Sequence, residues 1–168
     1  MAVLVSGTLR FLVDVYERIV GDLGPVSARH TIDYQKTIES GTGADQADIV
    51  WSDTRTVTGV DDLDLRGVLA SALASGLALA RVKGIMIRNK STTAGYLLTV
   101  GNDAAGAFVG LFFAVGDRIK VQPGGMFAWY APQAADTMTT TATTADVLQI
   151  DSGANTVTYE ILLIGATV

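Results

Sequence analysis

The chain has 168 residues, a formal net charge of −5 and no cysteine. Its length fits one domain, and the acidic balance with scattered basic residues disfavours direct binding to nucleic acid. Only 17% of the residues are charged, against about 25% in an average domain. Such a neutral surface suits a protein that meets other protein chains. A monomer with a surface rich in Thr, Ser, Ala and Gly is the alternative.

The first forty residues predict two strands. Four apolar side chains alternate along one side of residues 8–16: Leu9, Phe11, Val13 and Val15. The same run also fits a helical stripe, but its β-branched and aromatic residues, bracketed by Gly7 and Gly21, favour a strand. After a Gly-Pro turn signal, residues 28–38 alternate as an edge or half-exposed strand.

The middle of the chain begins with a polar loop at residues 40–48, followed by predicted strands at 49–57 and 63–67. An Ala-rich stretch comes next, and there we expect a short helical or irregular crossover near residues 68–80. This stretch is shorter than the ~20 apolar residues that span a bilayer, and the N-terminus shows no secretion signal. We therefore expect a soluble protein without membrane contact.

From Arg81 onward the β signal is steady. Glycine-containing turns separate predicted strands at 82–89, 96–100, 108–115, 118–121, 126–130, 147–150 and 156–164. About nine to eleven short strands at such spacing are typical of an all-β sandwich, jelly roll or barrel. We predict N-terminal strands or an arm at residues 1–40 and a β-sandwich domain at residues 41–168, the two forming one compact domain overall.

Two stretches, residues 108–115 and 161–164, are apolar on both faces of a strand. Because side chains alternate between faces, and because a small antiparallel domain usually leaves one face polar, this pattern predicts a strand covered twice or a surface covered by another subunit. The candidates for such an interface are six large side chains: Trp51, Phe112, Phe113, Met126, Trp129 and Tyr130. As an alternative, Trp51, Trp129 and Tyr130 form a stacking platform for sugars, although such rings also anchor cores.

The residues that usually carry chemistry are few. The one histidine, His30, lies in a polar strand without a Gly-x-Ser-x-Gly signature, which favours a surface position over a catalytic triad. The acidic residues at 61–64 are close enough to suggest calcium, but they alternate with leucine as one polar strand face. The glycine turns lack the lysine of a phosphate loop. We predict no catalytic, cofactor-binding or metal-binding residue, and thus no enzyme.

A consensus of strands and turns runs through five segments: ADIVWSDTRT at 47–56, DLDLRG at 62–67, VKGIMIRN at 82–89, PGGMF at 123–127 and the closing strand at 159–165. In this the chain resembles the small structural proteins of tailed-bacteriophage virions, of the jelly-roll capsid decoration, or cement, type. The resemblance covers roughly residues 47–165.

The resemblance implies an all-β, jelly-roll-like sandwich that decorates and stabilises a capsid. It carries over no catalytic residue and no cofactor. The implied partners are the major capsid protein and further copies of the chain, and a trimer is expected because cyclic homo-oligomers match local symmetry positions on a shell. A tail or tail-fibre structural protein, or a carbohydrate-binding module of a receptor-binding appendage, is the alternative.

Overall fold

The computed structural model describes residues 5–22, 24–67, 69, 77–101, 105–112, 114–131, 133 and 138–168. These residues contain no helix and form nine strands: β1 (Gly7–Gly21), β2 (Gly24–Ser40), β3 (Gln46–Ala47), β4 (Ile49–Asp64), β5 (Arg81–Asn89), β6 (Leu98–Gly101), β7 (Arg118–Val121), β8 (Met126–Tyr130) and β9 (Val147–Ala166). Two sheets pack against each other. The prediction of an all-β sandwich is confirmed.

The body of the protein is a six-stranded sheet in the order β7-β6-β9-β5-β8, with β4 also paired to β9. The long β4–β9 ladder shifts register at Gly59, which has a φ of 81°. Before the shift, residues 49–58 pair with the end of β9. The other edge of this part of β9 pairs with β5, and β5 pairs in turn with β8. After the shift, residues 60–64 pair with the start of β9. The other edge of this part of β9 pairs with β6, and β6 pairs in turn with β7. The β4–β9 ladder thus runs through both halves of the six-stranded sheet.

Side chains from both parts of this ladder fill one hydrophobic core. Trp51 and Val57 of β4 lie there beside Tyr159 and Leu163 of β9, together with buried side chains of β5, β6 and β7. Along residues 157–163 of β9 the buried residues alternate with more exposed ones, as the pleat of a strand requires. The core therefore belongs to the body alone.

The structure joins elements that the sequence separates. We predicted two strands in 49–67 and two in 147–164, but β4 and β9 each run without a break through the glycine between them. Gly59 and Gly153 both have positive φ, which glycine adopts without a Cβ clash. Glycine there bends a strand instead of ending it.

The strand predicted at 108–115 is wrong for the residues of this stretch that the structure describes. Phe108 is fully buried and donates its backbone N–H to Val147, but the chain then turns, since the Phe112 N–H bonds the Val109 carbonyl. Phe108, Leu111 and Phe112 pack on the core, whereas Val109 and Val115 are exposed. The crossover predicted near residues 68–80 lies mostly outside the described residues, and Leu69 and Leu77 at its ends form an antiparallel bridge.

Strands β1 and β2 form a hairpin, here called the arm. Its ladder runs unbroken from Gly7 opposite Ile38 to Gly21 opposite Gly24, a length of about 50 Å at ~3.4 Å per residue. Residues 24–35 of β2 are all exposed. Because an isolated two-stranded hairpin is at best marginally stable in water, the arm needs support beyond its own ladder.

Candidate interaction surface

The arm has one largely apolar face. Because paired residues of an antiparallel ladder share a face, the register places Phe11 opposite Tyr34, Val13 opposite Ile32 and Ile19 opposite Val26 on the same side. We call this side the apolar arm face and define it by the following residues: Leu9, Phe11, Val13, Val15, Ile19, Val26, Ile32 and Tyr34. The alternation predicted for residues 8–16 is confirmed.

The opposite face of the arm carries paired charges. Arg10 binds both carboxylate oxygens of Asp33, at 2.9 and 2.8 Å, and Arg29 binds both oxygens of Asp14, at 2.8 and 2.9 Å. Hydrogen bonds from these arginines hold the pKa values of Asp33 and Asp14 below their ordinary values. Exposed ion pairs add little to stability, but their two-oxygen geometry fixes the register of the hairpin. This face also carries the exposed side chains of Leu12, Tyr16 and Val20, so it is mixed in character.

The apolar arm face is uncovered along most of its length. Val13 is 52% exposed, Ile32 69% and Val26 70%. Apolar patches of more than a few hundred Å² are uncommon on monomers and mark sites of interaction. Beyond its root, the arm therefore presents a long exposed apolar strip that a partner can cover.

The root of the arm rests on the body. Ile38 lies at the base of the apolar arm face and is buried against Ala47 and Ile164, with Leu9 and Leu162 packed around them. Beside this contact lies an apolar groove of about 210 Å³, lined by Val5, Ser6, Gly7, Thr8, Leu9, Ile38, Val50, Leu162 and Ile164. The same face is thus covered at its root and open beyond it.

A buried lysine fastens the root. Lys83 of β5 is 2% exposed, and its Nζ donates hydrogen bonds to the carbonyl oxygens of Thr42, Gly43 and Gln46 at 2.9, 2.6 and 2.7 Å. Burying an ammonium group is costly unless its donors are satisfied. These three bonds hold the loop between β2 and β3 against the sandwich. Our sequence reasoning missed this residue; the one available signal was a lysine among apolar residues of a predicted strand.

The six interface candidates do not form one surface. Trp51 is 2% exposed and lies in the core, where the folded body covers it. Phe112 is half-buried against the same core, Met126 is 57% exposed, and Phe113 lies outside the described residues.

The two remaining candidates point in opposite directions. Trp129 packs against the body core, whereas Tyr130 packs at the root of the arm, where burial raises its pKa. Successive residues of a strand face opposite sides of the sheet. With Trp51 in the core as well, the three aromatic residues do not line up as a stacking platform.

A polar cluster of three residues ties β4 to β9 inside the body. Asp61 accepts hydrogen bonds from Arg55, at 2.7 and 2.9 Å, and from the hydroxyl of buried Tyr159, at 2.7 Å. Burial favours a higher pKa for Asp61, but these hydrogen bonds outweigh it and hold the pKa below its ordinary value. Burial and Asp61 together raise the pKa of Tyr159. All three groups are engaged with one another, which fits a structural role.

The remaining candidates for chemistry are also engaged. Asp62 accepts a hydrogen bond from Gln149, and Asp64 accepts one from the backbone N–H of Arg66. His30 lies on the arm, 3.7 Å from Glu17. Across the part of the chain that the structure describes, no group of three His, Asp or Glu side chains is placed to hold a metal ion.

No family model matches this chain, and no curated protein or solved structure is similar to it. Its described residues include no helix that is long and apolar enough to cross a membrane. The exposed apolar arm face and the groove at its root are therefore the candidate interaction surface.

Proposed function

We propose that this protein is a non-enzymatic structural protein of a phage virion, which decorates the capsid and stabilises it through contacts with other copies of itself and with the major capsid protein. The observation that carries the proposal is the arm, whose apolar face is exposed although the body has a filled core of its own. A hairpin of this length with one apolar face is suited to contact between proteins.

A protein that stabilises a shell must bury part of its surface against neighbouring protein chains. The arm supplies such surface on its apolar face, and its opposite face carries the ion pairs Arg10–Asp33 and Arg29–Asp14 toward water. The fastening of the root by Lys83 gives the arm a fixed starting point on the sandwich. A contact that a partner makes with the arm is therefore coupled to the body of the protein.

The resemblance to phage decoration proteins supports a viral capsid as the assembly to which the chain belongs. Its segments at 47–56 and 82–89 lie in β4 and β5, which are strands of the body, and it does not reach the arm. The resemblance thus supports the sandwich as the unit that meets the shell, while the arm is suited to contacts between neighbours. A trimer and a position on the capsid surface remain predictions.

The test is made on phage particles produced with and without this chain. An antibody against the arm should label heads, and heads that lack the protein should release their DNA at a lower temperature. Adding the purified protein back should restore the stability of these heads, which controls for defects of assembly. Label on tails would replace the proposal by a tail structural protein, and unlabelled particles or equally stable heads would overturn it.

A further inference from the structure

We propose that the apolar arm face is covered by the same face of a second copy, with the two arms packed antiparallel about a twofold axis at the Val13–Ile32 pair. The inference rests on the self-association part of the proposed function and names the surface that carries it. It proposes a twofold contact where the resemblance implies a trimer. It needs no capsid, so it succeeds or fails separately from the role in the virion.

The size of the arm fits such a contact. A face about 50 Å long and two strands, or about 10 Å, wide covers on the order of 500 Å² in projection. A stable interface buries about 800 Å² of accessible surface per partner, and protruding side chains expose more area than their projection. Two arms packed face to face therefore supply most of the area that a stable dimer needs, and the apolar groove at the root of each arm adds to it.

The charges on the apolar arm face select the antiparallel direction. Glu17 lies opposite Ala28, and Lys36 lies opposite Leu9; these two rows are equally far from the Val13–Ile32 row, on either side of it. An antiparallel partner places its Glu17 row over the Lys36 row. A parallel partner places lysine against lysine and glutamate against glutamate, which is unfavourable.

The antiparallel arrangement also continues a contact that the chain already makes. The base of the apolar arm face is buried on the body through Ile38 and Ile164. The tip of a partner's arm, with Ile19 and Val26, lies beside this buried base. There it meets the apolar groove that includes Val5, Val50 and Leu162. Tip and root are thus complementary apolar surfaces.

Adjacent residues provide a matched test, because Leu12 and Val13 are 51% and 52% exposed on opposite faces of the arm. We expect the wild-type chain to form a dimer in sedimentation velocity, Val13→Lys to weaken the dimer at least about tenfold, and Leu12→Lys to leave it intact. Fluorescence of Trp51 and Trp129, which both pack in or against the body core, reports whether the body of each variant is folded. A monomeric wild-type chain, or equal loss in both variants, overturns the proposal.

Because the chain has no cysteine, single cysteines test the geometry directly. Facing sheets lie about 10 Å apart, so a short bismaleimide reagent should link two copies of Val13→Cys efficiently. The same reagent should link Leu12→Cys poorly, since that residue lies on the outer face of each arm. No cross-linked dimer with Val13→Cys, or equal cross-linking of both variants, overturns the antiparallel packing. Dimerisation without any label on heads refutes only the role in the virion.

Discussion

Lys83 and Gly43 meet where the arm joins the body, with the lysine Nζ 2.6 Å from the glycine carbonyl oxygen. The lysine belongs to β5 and the glycine to the loop between β2 and β3, so this bond joins parts of the chain that are far apart in sequence. Two further carbonyl groups accept from the same Nζ. The arm is therefore held by a polar anchor beside the apolar contact of Ile38.

Removal of this anchor should loosen the root of the arm. Lys83→Met leaves three carbonyl groups without their donor, and we expect a loss of about 1–3 kcal/mol in the free energy of unfolding. We also expect faster proteolysis within residues 41–47. Urea titration and limited proteolysis measure the two effects.

The control for Lys83 is Lys90, whose ammonium group lies at the surface, 2.9 Å from Glu160. Lys90→Met should change the free energy of unfolding by less than about 0.5 kcal/mol. Equal losses of stability in the two variants would show that the hydrogen bonds from Lys83 to its three carbonyl groups stabilise the protein no more than a surface ion pair does.

The burial of Trp51 predicts a large effect on stability. Trp51→Ala removes a core side chain and should cost about 3–5 kcal/mol, whereas Met126→Ala, at a residue that is 57% exposed, should cost less than about 0.5 kcal/mol. Thermal unfolding of the two variants measures the difference. A nearly neutral Trp51→Ala would argue against a core position.

The acid dependence of stability should respond to Asp61. The hydrogen bonds from Arg55 and Tyr159 hold its pKa in the folded protein below the ordinary value. Ionised Asp61 therefore adds stability that is fully present above the unfolded pKa of about 3.9 and is lost as the pH falls through the lower folded-state pKa. Asp61→Asn should lower stability at neutral pH and flatten its decline in acid.

Urea titration at a series of pH values measures this prediction. The free energy of unfolding of the wild-type chain should fall more steeply in acid than that of Asp61→Asn. An identical acid dependence in the two proteins would show that the hydrogen bonds of Asp61 do not favour its ionised form in the folded state.

Exchange of the two charges on the apolar arm face tests the direction of the arms. Glu17→Lys places lysine against the partner's Lys36 and should weaken the dimer about tenfold. Lys36→Glu alone should also weaken it, since it places glutamate against the partner's Glu17. The double variant restores opposite charges and should recover most of the affinity in sedimentation equilibrium.

Parallel arms would respond differently to the same exchange. Each row would then face its own copy, so Glu17→Lys would replace one pair of like charges by another and change the affinity little. A double variant no tighter than the single variants would likewise contradict the antiparallel arrangement. Lys36 also contacts Asp45 at 3.1 Å within the chain, so tryptophan fluorescence serves again to check the fold.

Local patterns in the sequence determined the class of fold and the faces of the arm. The alternation of Leu9, Phe11, Val13 and Val15 is a property of neighbouring residues, because the pleat of a strand has a period of two residues. For the same reason the β-rich segments after Arg81 predicted a sandwich. The ends of strands were less well predicted, since Gly59 and Gly153 can either end a strand or bend it.

Only the tertiary structure decided which surfaces are covered. Trp51 and Met126 are both large and apolar, but the first lies in the core and the second is exposed, because the core packs around Trp51 whereas β8, which carries Met126, lies at the edge of the sheet. Lys83 is buried because a loop some forty residues earlier in the chain folds over it. Burial depends on contacts between distant segments, and these contacts follow from the packing of whole sheets, which no short stretch of sequence encodes.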